Sequence, residues 1–187
     1  MTFNEKGLLK AMKRAYREYG YTVAQTETGL LITADGSWGV GIPDHLVPNV
    51  VKGLIVSHAG KVPGEGQAIL VHKDGAANEI YEIAVGRCRD IKAAWDEDLF
   101  AKIGLTRLTI DGMHIWQRTK DMGMELVDPD DMVVLDISDL EAYQVDGAIF
   151  CENYAGICWV EPRPAGDKHV LIRHLEQMQF IAGGSDA

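Results

Sequence analysis

Residues 21–42 read YTVAQTETGLLITADGSWGVGI. Apolar and β-branched residues gather here in short runs at about 21–27, 29–34 and 38–42, the composition expected of strands. Glu27-Thr28-Gly29 separates the first two runs, and Asp35-Gly36 is a turn signal before the third. Helices are expected on both sides. Upstream, Leu8, Met12, Ala15, Tyr16 and Tyr19 follow the spacing of one helical face over 4–19, with Asn4 as N-cap and Gly20 as stop. Downstream, Pro43 suits a first helical turn, and a second helix is expected over 44–59, ending before Gly60. Pro48 falls early in that helix and marks an alternative start.

The remaining chain continues the mixture. A hairpin is expected from Gln67–His72 and Glu79–Val85 around a Lys73-Asp74-Gly75 turn. A third helix over 87–103 would carry Ile91, Trp95, Leu99 and Ile103 and end at Gly104. Strands follow at 106–110 and 113–118 around Asp111-Gly112, then at 124–127 and 132–137. A last hairpin pairs 147–151 with 156–160, and a final helix covers 168–181. Helices and hairpins mix without sustained strand–helix–strand alternation. The expected class is therefore α+β, with antiparallel sheets and about four helices packed on them. Gly104 is a candidate seam between subdomains 1–104 and 105–187. No low-complexity linker lies there, so the halves are expected to pack together, up to forming one continuous domain.

The chain of 187 residues can bury one good core or two small ones. No apolar stretch approaches the roughly 18–20 residues of a membrane helix. Met1-Thr2-Phe3-Asn4-Glu5-Lys6 lacks the charged start and apolar run of a signal peptide, so the expected location is the cytoplasm, with no membrane partner. Three cysteines, Cys88, Cys151 and Cys158, are too few for a disulfide scaffold and are expected as reduced thiols. Motifs that would name a reaction are absent. There is no Walker-type loop, no Gly-x-Ser-x-Gly elbow and no His-Glu-x-x-His helix. Gly39-Val40-Gly41 has only two glycines of a dinucleotide fingerprint, and Ser57-His58 reads as an ordinary helix end near Gly60.

Charge layout is more informative. The formal net charge is −10, which opposes nonspecific nucleic-acid binding by the whole surface. Yet Lys6, Lys10, Lys13, Arg14 and Arg17 fall within an arc of about 100° on helix 4–19, nearly opposite its apolar face. Between Lys120 and Arg163 there is no lysine or arginine, while Asp121, Glu125, Asp128, Asp130, Asp131, Asp136, Asp139, Glu141, Asp146, Glu152 and Glu161 lie in that stretch. Such density calls for neutralisation by solvent ions, a divalent cation, a basic partner or the chain's own first helix. Asp128, Asp130 and Asp131 are candidate Ca²⁺ or Mg²⁺ ligands, without the glycine and terminal glutamate of a full calcium loop. The leading functional reading is a non-enzymatic binding or assembly protein. Its partner would be a protein, a second copy, or nucleic acid reached through helix 4–19. The enzymatic alternative is a metal-dependent hydrolase using carboxylates near 128–139, with Asp136 and Asp139 as acid and base.

Cys151 and Cys158 flank the turn of the last hairpin, and symmetric closure would set their sulfurs facing each other. With His169 and His174 they form Cys-x6-Cys-x10-His-x4-His on a strand–strand–helix unit. That order resembles a zinc finger and implies a zinc site. The cysteine gap is wider than the family's, and five helical positions turn the second ring about 140° from the first. A cross-strand disulfide and paired buried thiols are the alternatives, the latter supported by the apolar neighbours Phe150, Ile157 and Trp159. Leu126 to Asp136 is similar to a loop and strand of class II aldolases, but the zinc-binding histidines of that family do not follow. Finally, the order helix, strands, helix, hairpin over residues 3–85 is similar to a half-domain of the DNA sliding clamps. In that family basic helices line a hole around DNA while the rest of the ring is acidic. The resemblance implies a DNA-facing role for helix 4–19.

Overall fold

In the computed structural model, which describes residues 3–34, 37–82, 85, 101–135, 141–145, 147–153 and 156–180, every strand ladder is antiparallel. The first half contributes α1 (Glu5–Glu18), β1 (Tyr21–Gln25), β2 (Gly29–Ala34), β3 (Trp38–Pro43), α2 (Asn49–Ala59), β4 (Gln67–His72) and β5 (Gly75–Glu79). The second contributes β6 (Ala101–Ile110), β7 (Met113–Arg118), β8 (Met124–Val127), α3 (Pro129–Met132), β9 (Ala142–Val145), β10 (Ala148–Asn153), β11 (Gly156–Val160) and α4 (His169–Leu175). All strands among the described residues join one 11-stranded sheet in the order β5-β4-β1-β2-β3-β11-β10-β9-β6-β7-β8.

The two-residue period of strands sorts side chains onto the two faces. Tyr21, Val23, Leu30, Ile32, Val40, Ile42, Ile69 and Val71 join the principal core together with Leu8, Met12 and Ala15 of α1, Val51 and Ile55 of α2, and second-half residues such as Ile103, Ile149 and Cys158. Their neighbours Ala24, Leu31, Ala68, Phe150 and Trp159 form a second cluster from the opposite face. A third cluster seats Ile172 of α4 on Ile115, Met124 and Leu126. Gly39-Val40-Gly41 finds its reason here. A Cβ at Gly39 would stand 2.0 Å from the Trp159 ring, so only glycine lets that indole lie across β3.

The two halves meet along β3 and β11, where Trp38 pairs with Val160 and Gly41 with Ile157. The sheet then curls. The Arg163 amide, just past β11, donates to the Leu126 carbonyl of β8 at 2.7 Å. The start of the chain is tied to the second half as well. Phe3 bridges Leu135, and the Asn4 amide donates to the Val134 carbonyl at 2.9 Å. Gly7 lies so close to that segment that an added Cβ would sit 1.6 Å from the Val133 oxygen.

Several expectations shift. Residues 101–103, expected to close the third helix, are strand, because Ile103 turns into the core beside exposed Lys102 in the alternation of β6. The rest of that helix, 87–100, lies outside the described residues. Residue 104, the expected seam, falls within β6. The hairpin turn is shorter than expected: His72 pairs directly with Gly75, whose φ of 136° suits a residue without Cβ, so β5 begins at Gly75. Residues 129–132 are helical, because Asp128 caps the turn and Pro129 enters at its first position, so no strand begins at 132. The second helix starts after Pro48, with a separate 3₁₀ turn at Asp44–Leu46. The final helix closes at Leu175. Strand β9 forms where the sequence pattern predicts none. No helix among the described residues is long and apolar enough to cross a membrane.

Candidate functional site

Helix α1 is fixed from within. The Asn4 side chain accepts from the Gly7 amide at 3.1 Å, and Leu8, Ala11, Met12 and Ala15 are buried. Its cations occupy the opposite side, and tertiary contact divides them. Lys10 Nζ lies 3.2 Å from Asp130 Oδ1, and Arg14 Nη1 lies 3.3 Å from Asp130 Oδ2. Arg14 Nη2 also donates to Asp131 Oδ1. Lys6, Lys13 and Arg17 are exposed and have no ion-pair partner among the described residues. Those three fall within an arc of about 40°, with Lys10 and then Arg14 on one side of it and Tyr16 on the other.

The flank that meets the second half centres on Asp131, whose side chain is 0% exposed. Its other oxygen accepts from Arg163 Nη2 at 2.6 Å, and the same Arg163 nitrogen donates to Ser37 Oγ at 3.2 Å. One carboxylate thus holds guanidinium groups from α1 and from the segment after β11. Burial pushes the Asp131 carboxyl up, against the pull of Arg14 and Arg163. Asp130, more open, is held below the ordinary carboxylate range by its bond from Lys10 and by Arg14.

The same pattern quiets the acidic stretch. Arg118 binds Asp121 at 2.8 Å and Glu125 at 3.0 Å, and Lys102 binds Glu141 at 3.1 Å. The Arg118 bond lowers Asp121, and the Lys102 bond lowers Glu141. Among the described residues, Lys10 and Arg14 of the first helix pair with Asp130 and Asp131, while Lys102, Arg118 and Arg163, from elsewhere in the chain, pair with Glu141, Asp121, Glu125 and Asp131.

Beyond Lys13, α1 meets α2 through an aromatic joint. The His58 ring stacks on Tyr16 with centroids 3.9 Å apart and planes 10° from parallel. His58 Nδ1 lies 2.9 Å from the hydroxyl of Tyr21, which is buried. Burial and the nearby Lys13 charge lower the His58 pKa, and burial raises that of Tyr21. Nothing in the local sequence marks His58, because its partners lie on α1 and β1.

The metal candidates are placed apart. Cys151 and Cys158 are Cα partners across β10 and β11, as symmetric closure requires, and both are buried thiols of the principal core. His169 and His174 are exposed on α4, which packs on the third cluster. His169 Nδ1 instead lies 3.1 Å from the Gly166 carbonyl. Asp128 Oδ1 accepts from the Asp130 amide at 2.8 Å as a helix cap, and Asp130 and Asp131 are engaged by cations. Among the described residues no group of three or more His, Cys, Asp or Glu side chains is arranged to hold a metal ion. Asp136 and Asp139, the acid–base candidates, lie outside the described residues. Comparison with known proteins adds no relative: no family model matches the chain, and neither a curated protein nor a solved structure matches it.

Proposed function

We propose that this chain is a non-enzymatic binding protein that receives an acidic segment of a protein partner on the exposed crest of α1, at Lys6, Lys13 and Arg17. The observation that carries this reading is the division of the basic stripe. Lys10 and Arg14 are engaged within the chain, whereas the three crest cations have no ion-pair partner among the described residues. Their spacing on a well-capped helix presents them along one line, a fit for an extended run of carboxylates. A short acidic segment needs only these few contacts, whereas duplex DNA is held by many: contacts to three phosphates would yield a salt slope of only roughly −2.7.

The test is binding of a Glu-rich peptide followed by fluorescence anisotropy. The variant Lys6→Glu/Lys13→Glu/Arg17→Glu abolishes binding while keeping the thermal transition of the wild type. Equal binding by the two proteins refutes the proposal.

A second reading, a DNA clamp-like protein, is favoured by one observation: α1 and α2 lie side by side, both contributing to the principal core. Against it, α2 offers only Lys52 and His58 as basic groups. Duplex DNA in the same anisotropy assay separates the two. A clamp-like surface binds DNA and loses it when the exposed Lys6, Lys13 and Arg17 become glutamate; the crest reading expects preference for the peptide.

A further inference from the structure

We infer that His58 belongs to the same binding face, so that a carboxylate seated at Lys13 is also received by His58 and the complex takes up a proton on that imidazole. This rests on the crest reading and adds its regulation. Around α1, the crest gives way at Lys13 to Tyr16, and Tyr16 carries the stacked His58 ring of α2. A partner carboxylate reaching Lys13 from the α2 side therefore meets the imidazole next.

The joint holds the ring in either charge state. When Nδ1 carries no proton the Tyr21 hydroxyl donates to it; when Nδ1 is protonated, Nδ1–H donates to the Tyr21 oxygen over the same 2.9 Å. The Tyr16 face, 3.9 Å from the imidazole, accepts a cation as readily as a neutral ring. What resists protonation in the unbound protein is partial burial and the charge of Lys13. Among the described residues, the groups that face His58 are Lys13 and Tyr16 from α1 and Tyr21 from β1. The neighbouring Ser57 hydroxyl turns back to the Leu54 carbonyl. A carboxylate between Lys13 and His58 neutralises the first and pairs with the second, which removes the resistance.

The sign follows from linkage. The bound complex has the higher His58 pKa, so affinity is greatest at low pH and declines as pH rises through the bound value. A shift of about one pKa unit corresponds to about a tenfold change in affinity. The experiment measures binding of a Glu-rich peptide between about pH 5.5 and pH 8. Wild type is expected to bind up to about tenfold more tightly at the acid end, and His58→Gln to keep the weaker high-pH affinity throughout. NMR titration of the His58 ring in the wild type, with and without peptide, is expected to show its pKa rising on binding, whatever the fate of the variant. An unmoved His58 pKa, or the same pH slope in wild type and His58→Gln, overturns the inference while leaving the crest reading intact. No peptide binding at any pH overturns both.

Discussion

Two flanks of one helix carry the same kinds of side chain and do different work. On the flank toward the second half, Lys10 and Arg14 meet Asp130 and Asp131. On the crest, Lys6, Lys13 and Arg17 meet solvent. The difference is one of depth. Asp131 is fully buried and bridges two guanidinium groups, so its charge is satisfied only by the fold. The crest cations are already satisfied by water, so they are available to a partner at little cost in stability. The basic stripe is thus part structural joint and, on the proposed reading, part recognition surface.

The comparison is broken most severely at Asp131. Asp131→Ala removes the carboxylate that Arg14 and Arg163 share; both guanidinium groups reach solvent and Arg14 keeps Asp130, so the expected cost is about 1.5–3 kcal/mol, measured by urea denaturation. A loss under about 1 kcal/mol would mean that water serves the two cations as well as the carboxylate does. Next comes the seat of the helix. Gly7→Ala drives a methyl group into the Val133 carbonyl, and overpacking of that kind costs about 1–3 kcal/mol, read from the same unfolding curves. Third, Lys10→Ala removes an exposed ion pair to Asp130, and its expected cost is below about 1 kcal/mol and shrinks further in high salt. Smallest in stability is the crest. Lys6→Glu, Lys13→Glu and Arg17→Glu are each expected to change stability by no more than about 0.5 kcal/mol, while the three together abolish peptide binding. If the crest substitutions destabilised the protein as much as Asp131→Ala, the distinction between the flanks would fail.

Much of the fold is legible from short-range patterns. Helix α1 begins at the cap that Asn4 announces, and the strands at 29–34, 38–43, 67–72 and 113–118 lie where alternation and turn residues place them. Pairing of Cys151 with Cys158 follows from the symmetry of their hairpin. The misses have local competitors. At 128–132 a strand-like apolar run follows an Asp-Pro cap, and the cap wins the first turn. At 101–103 the helical spacing of Ile103 coincides with the start of a strand that continues, through an irregularity between Leu105 and Thr109, to Ile110. At Gly39 the motif search finds nothing, because the reason for the glycine is a tryptophan some 120 residues away.

The candidate site divides in the same manner. Five cations on one side of a helix follow from their spacing at 100° per residue, and the anionic character of the region after Lys120 follows from counting. By itself, then, the sequence determined an antiparallel α+β class, an amphipathic first helix and the opposition of basic and acidic segments, since each depends on residues close together in the chain. Only the tertiary structure decided that Asp131 is buried between Arg14 and Arg163, that His58 rests on Tyr16, and that Lys6, Lys13 and Arg17 stay in solvent. Burial and ion pairing are set by which distant segments pack together, and no local period encodes that choice.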